Sequence, residues 1–331
     1  LWDPAKAIAS GLHLEMPGNK IFLPAAVRTM IEEGVVSEAD LDERVARVLE
    51  LVYRVEEMQL EVPDRSRGKG EEHAGVALEV AREGIVLLKN ADGLLPLEDE
   101  GGPVAVVGPH ADPTPTSGGG AALVRAIDPV SVAGGVVAVA PDRTLLWIVD
   151  GAGEDEVLAG AEVAIVAVGY DAEREREGCD RPFALPADQV ALIRKASRVA
   201  KRVVVVVTAG GGVEMTSWID DVDAVIHQWY PGEIGARALA EIIFGKVNPS
   251  GKLPISIERS YTDRASVANY LPEGAELYDT PDFVAQQPGT HDVRYEEGVF
   301  VGYRHLHRAG VEPLFAFGHG LSYTGWAYAD P

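Results

Sequence analysis

The chain has 331 residues, 47% of hydrophobic type, which is enough for two domains and at least one sizeable buried core. Acidic residues outnumber basic ones 52 to 29, and a net charge of −23 argues against the basic patches that nucleic acid or an anionic membrane surface requires. One cysteine, Cys179, excludes an intrachain disulfide framework and a thiolate metal cage, and no apolar run approaches the ~20 residues of a membrane-spanning helix.

Residues 1–60 read as mainly helical. Ser37 is the expected N-cap of a helix along which Leu41, Val45, Val48, Leu49, Val52 and Val55 recur at helical spacing. Such an amphipathic helix has to dock on something. Residues 61–75 begin with "EVPDRSRGKGEE", polar and rich in turn formers, and read as a linker. A domain over 76–325 follows. After a helix near 72–84 comes "GIVLLKN", then "PVAVVG" (103–108), "AEVAIVAVG" (161–169), "RVVVVVT" (202–208) and "DAVIHQW" (223–229). Continuous β-branched runs of this length suit strands covered on both faces. Helical segments at 187–201 and 233–245 alternate with them. The pattern predicts an α/β fold, a mostly parallel sheet sandwiched between helices. Residues 261–299 read as a long irregular loop.

Ligands of open α/β sheets gather beyond the carboxyl ends of the strands, which directs attention to the loops at 109–121, 170–186 and 209–218. Their glycine clusters match neither a dinucleotide fingerprint nor a phosphate-binding loop, so tight turns are the simpler reading. The second loop contains "DAEREREGCDR" (171–181), with Glu173, Glu175 and Glu177 alternating with arginines. A general acid has to be held protonated near neutral pH. Gly178 next to Glu177 would let a ligand approach, and Asp180 with Arg181 would hold the loop as an ion pair. Local chemistry alone reads the stretch as solvated surface and does not choose among the three glutamates. Trp218, Trp229 and Tyr230 suit either a sugar-stacking or a core role. His305 and His307 would share one side of a strand without an acidic or cysteine partner, so no metal site is expected.

Taken together and in order, "SGLHLEMPG", "VVSEADLDERVARVLEL", "ALEVAREGIVLLKNADGLLPL", "VAVVGPHAD", "SGGGAA", "EGCDRPFALP", "WYPGEIGARALAEIIFGKVNPSGKLPIS", "VGYRHL" and "EPLFAFGHGLSYT" resemble the β-glucosidases of glycoside hydrolase family 3. The resemblance spans nearly the whole chain. It implies that residues 1–60 are the C-terminal end of a (β/α) barrel domain that precedes the α/β sandwich. It also implies a retaining, exo-acting mechanism on terminal β-D-glycosyl residues, with two carboxylates and no cofactor or metal. The acid/base of an E-G-x-D-R motif falls on Glu177, with Glu175 and Glu173 as fallbacks. Asp180, Arg181 and Trp229 are the candidate substrate-binding residues. The family's nucleophile is the aspartate of a Ser-Asp-Trp motif, which this sequence lacks, since Asp3 follows Trp2 rather than preceding it. The expectation is therefore a partial chain, inactive alone, that needs a missing barrel domain to complete its site. The alternative is a non-catalytic carbohydrate-binding or assembly module. His13 stands where the family commonly has aspartate and Ala121 where serine is common. The short interval from Leu123 to Val149 implies that a helix is trimmed there.

Overall fold

The computed structural model describes residues 3–16, 22–59, 71–147, 154–177, 180–270 and 294–325, with Ala327; the side chains of Glu71 and Trp147 are not described. The chain divides into two compact units, Leu1–Gly68 and Lys69–Pro331.

The first unit contains α1 (Pro4–Ala9), α2 (Pro24–Glu32) and α3 (Glu38–Glu57). Asp3 caps α1, where Pro4 removes an N–H that would otherwise be unpaired. Ser37 caps α3 in a reciprocal box: its hydroxyl accepts from the Asp40 amide at 3.1 Å, and the Asp40 carboxylate accepts from the Ser37 amide at 2.9 Å. The Arg44 guanidinium donates from α3 to the Ile8 carbonyl at 2.9 Å. Of its described hydrophobic residues only Ala7, Ile8 and Val36 are buried. Val45, Leu49, Val52 and Val55 of α3 are each about half exposed.

In the second unit, α4 (Glu71–Gly84) begins five residues before the expected domain start, inside the segment read as linker. Six strands follow: β1 (Val86–Asn90), β2 (Val104–Val107), β3 (Leu145–Trp147), β4 (Val163–Gly169), β5 (Val203–Thr208) and β6 (Ala224–His227). Their order is β1-β6-β5-β4-β2-β3; only β1 is antiparallel to its neighbour. The register of β1 on β6 shifts between Leu87 and Lys89. The winding order reverses between β2 and β4: the chain runs from β2 to β3 on one side and then crosses to β4 on the other, with all of these strands parallel.

The apolar runs are buried on both faces because alternate side chains enter different layers. Val203, Val205 and Val207 of β5 pack into one layer with Ala164, Val166 and Val168 of β4, Leu158 of α6 (Glu154–Gly160), Ile193 and Ala196 of α7 (Ala187–Val199), and Trp218. Val204, Val206, Ile165 and Ala167 face the other, built from Leu78 and Ala81 of α4, α5 (Val132–Val139) and α8 (Gly235–Ile243). The expected sandwich is therefore present. Trp218 is a core residue, only 1% exposed.

The interval from Leu123 holds both α5 and β3. The sequence of α5, "VAGGVVAV", is poor helix material, but Ser131 caps it by accepting from the Gly134 amide. Gly135 lets it approach α8 so closely that a Cβ there would lie 2.4 Å from the Ala236 carbonyl oxygen. A correction concerns His305 and His307. They lie on α9 (Tyr303–Ala309), not on a strand, so a spacing of two puts them on different sides. Of the long irregular loop, residues 271–293 lie outside the described residues. Residues 314–321 return along the sheet edge, where the Leu321 amide donates to the Leu87 carbonyl at 2.8 Å and the His319 Nε2 donates to the Leu88 carbonyl at 2.8 Å.

Candidate active site

The loop carrying the three glutamates leaves the carboxyl end of β4, beside the reversal point of the sheet. Its departure is fixed at Gly169. The buried Gln189 amide of α7 donates to the Gly169 carbonyl at 3.0 Å and accepts from its N–H at 2.8 Å. At φ 139° and with a Cβ that would lie 1.9 Å from the Thr208 carbonyl oxygen, this position admits only glycine. Tyr170 then turns into the core, and its hydroxyl reaches the Pro182 and Ala184 carbonyls on the returning limb.

The three glutamates meet different surroundings. Glu175 is tied down on every side. Its Oε1 accepts from Arg181 Nε at 2.7 Å, and its Oε2 accepts from the Tyr230 hydroxyl at 2.8 Å and the Gly210 amide at 2.8 Å. Its backbone carbonyl accepts from the Gly119 amide at 2.9 Å. Glu173 and Glu177 are exposed, and among the described residues neither carboxylate has a hydrogen bond or an ion pair. Glu177 differs from Glu173 in lying against the glycine loop, where a Cβ on Gly120 would sit 3.0 Å from the Glu177 Cβ. Ala121 occupies the short 3-10 turn that continues that loop. Cys179 and Gly178 lie outside the described residues.

The expected pairing of Asp180 with Arg181 is replaced by another. Arg181 turns to Glu175, spends two more N–H groups on the Pro182 and Gly212 carbonyls, and lies over the Tyr170 ring at 4.8 Å. A guanidinium prefers this arrangement because a partly buried carboxylate and two carbonyls satisfy its fork. Asp180 instead accepts from the Tyr270 hydroxyl, a hydrogen bond that pushes the Tyr270 phenol up to about 12. Trp229 is held by its own fold. Its indole N–H donates to the Gly84 carbonyl at 3.0 Å, and its ring packs against His227 at 4.2 Å. Its backbone has φ 57°, an uncommon conformation for a non-glycine residue, which turns the next residue, Tyr230, toward Glu175.

Two neutral groups complete the surroundings. Burial holds the His227 imidazole at about 4, well below its usual value. Its Nδ1 accepts from the Trp229 amide, so Nε2 carries the proton and donates to the Gly211 carbonyl at 3.1 Å. Burial, and then the bond to Glu175, raise the Tyr230 phenol far above its ordinary range, so the hydroxyl remains a donor. Tyr230 and His227 supply links that no local motif announces.

Clefts open at both ends of the loop. One of about 690 Å³ is bordered by His110, Ser117, Asp171, Arg174 and Asp188. Another of about 940 Å³ is bordered by Asp180, Arg181, Phe183, Tyr261, Arg264 and Tyr270. Aromatic faces, guanidinium groups and carboxylates of this kind suit a polyhydroxylated ligand. Among the described residues no three His, Cys, Asp or Glu side chains converge as a metal site would require.

Comparison with known proteins agrees with this geometry. Residues 85–303 match the glycosyl hydrolase family 3 C-terminal domain. The chain is 32% identical to thermostable beta-glucosidase B of Acetivibrio thermocellus, over 99% of this chain and 42% of that protein. It is 31% identical to an exo-alpha-(1->6)-L-arabinopyranosidase of Bifidobacterium longum, over 97% of this chain and 42% of that protein. Among solved structures, the glucose complex of beta-glucosidase 3B from Thermotoga neapolitana superposes with a TM-score of 0.74 at 27% identity, covering 99% of this chain and 50% of the other. The Bifidobacterium adolescentis GH3 beta-glucosidase gives 0.73 at 28% identity, covering 96% and 46%. The chain thus spans half or less of the length of these relatives.

Proposed function

The chain belongs to glycosyl hydrolase family 3, and from that premise we propose that it is the acid/base-bearing portion of a retaining exo-β-glycosidase, a β-glucosidase in substrate class. Glu177 protonates the oxygen of the departing aglycone as a carboxylate nucleophile attacks the anomeric carbon. It then takes a proton from the water that releases the sugar. Retaining geometry asks for the two carboxylates roughly 5–5.5 Å apart. The nucleophile comes from a barrel portion outside this sequence, and residues 1–60 are the end of that barrel. The absence of Ser-Asp-Trp from the 331 residues supports this division.

The observation that carries the reading is the contrast between Glu177 and Glu175. Glu177 is exposed and without a protein partner among the described residues, at the tip of a loop beyond the sheet's carboxyl edge, while both Glu175 oxygens are occupied. Proton transfer needs a carboxyl oxygen that can face the substrate.

The test is Glu177→Ala in the longer enzyme. Hydrolysis of β-glucosides with poor leaving groups is expected to fall by about 10²–10⁴-fold, the usual contribution of a general acid. Activated aryl glucosides should lose less, and azide should restore their turnover as the β-glycosyl azide. The 331-residue chain alone should not hydrolyse aryl β-glucosides. Undiminished activity of the variant would take the acid/base role away from Glu177 and leave Glu175 and Glu173 as the candidates.

A further inference from the structure

Glu175 links the loops that follow four adjacent strands. Its backbone carbonyl holds Gly119, beyond β2; its carboxylate holds Gly210, beyond β5, and Tyr230, beyond β6; the residue itself belongs to the loop beyond β4. Arg181 adds the returning limb of that same loop and passes on to the Gly212 carbonyl. We infer that Glu175, with Tyr230 and Arg181, is a positioning unit that sets where Glu177 stands over the bond to be cleaved, an inference that rests on Glu177 being the acid/base.

Two features make the unit stiff. Among its described residues the loop forms no helix or strand; one backbone turn, from the Glu175 amide to the Asp171 carbonyl at 2.9 Å, and several side-chain ties set its course. Those ties are partly buried: the Arg181 and Glu175 side chains are 14% and 20% exposed. Charge-assisted hydrogen bonds in such surroundings are among the strong ones. Tyr230 is itself anchored upstream, because the positive φ of Trp229 is held by bonds to Gly84 and His227. The Tyr230 hydroxyl has one proton and two acceptors, Glu175 Oε2 at 2.8 Å and the Tyr170 carbonyl at 3.0 Å, so it bridges the tip and the root of the loop. Glu177 lies two residues beyond this knot, and an error of about 1 Å there is enough to cost about 10²-fold in rate.

A positioning role differs measurably from catalysis and from simple folding support. In the longer enzyme, Glu175→Ala should lower kcat by about 100-fold on poor leaving groups and much less on activated ones, with KM within a few-fold. Glu175→Gln, which keeps the shape, should recover part of the loss, and Tyr230→Phe, which removes only a hydroxyl, should lose about 10-fold. Azide should not rescue Glu175→Ala. Added to Glu177→Ala, the Glu175→Ala change should cost no more than about 2-fold, because it acts through the missing group. In the 331-residue chain, hydrogen exchange at the Gly210 amide should quicken at least about 10-fold in Glu175→Ala, whether or not any sugar is cleaved. That arm separates failure of the clamp from failure of the glycosidase reading. Unchanged exchange at Gly210, full additivity with Glu177→Ala, or equal losses on all substrates would each overturn the inference. Azide rescue of Glu175→Ala would instead make it the acid/base.

Discussion

The centre of the sheet and the loop edge above it are held by opposite means. β4 and β5 are closed by two layers of apolar side chains, so that Val203 through Val207 are at most 1% exposed and each contributes to one layer or the other. The described residues of the 171–181 loop contribute no apolar layer. It is held by a few bonds between charged or phenolic side chains and backbone groups far away in sequence. Burial is spread over many residues and tolerates no charge. The loop concentrates its hold on Glu175 and leaves Glu173 and Glu177 open to solvent. A scaffold held everywhere thus supports a loop held chiefly through Glu175.

The strongest challenge to the comparison is a charge in the sheet. Val205→Asp should cost more than about 4 kcal/mol, because an unpaired carboxylate would replace packed surface. Loss of soluble protein and of the cooperative transition in circular dichroism would show it, and a folded variant would mean the two layers are looser than described. Acid should act next. Burial lowers His110 and His227 from 6.5 to about 4, so below 6.5 the unfolded chain binds protons that the folded one refuses. Their stabilising effect is full above pH 6.5 and is lost as pH falls toward 4, by about 2 kcal/mol per histidine at pH 5. Urea midpoints measured from pH 8 to 4.5 would check this, and His227→Gln should flatten the slope. At the small end, Glu173→Gln should change stability by less than about 0.5 kcal/mol and turnover by less than about 2-fold. A larger loss would mean that Glu173 is more than the solvent-exposed bystander its surroundings make it.

Legibility followed the same division. The β-branched runs announced β2, β4, β5 and β6 because side-chain alternation in a two-sided sheet leaves every position apolar. Ser37 announced α3 because a cap is written in adjacent residues. The helix α5 was hidden, since Gly134, Gly135 and four valines oppose helix locally and packing on α8 overrides them. At the site, ordered motifs drew attention to Glu177 where local chemistry did not. They could not reveal what restrains its neighbour: Gly210 and Tyr230 lie 35 and 55 residues from Glu175. Adjacency in the sequence points Arg181 at Asp180, but the fold gives it Glu175. A folded chain offers an arginine better partners than the next residue along.

The return of residues 314–321 along β1 has a consequence for the protein in solution. The outer row of N–H and C=O groups on an edge strand is a template on which foreign strands can add. Here that row is met by Leu321 and His319, and the register shift between Leu87 and Lys89 spoils its regularity. Among the described residues the opposite rim, β3, is three residues long, which leaves little edge to recruit a partner. The C-terminal stretch therefore works as a guard against aggregation, and its removal would be felt in solubility before it was felt in the sheet.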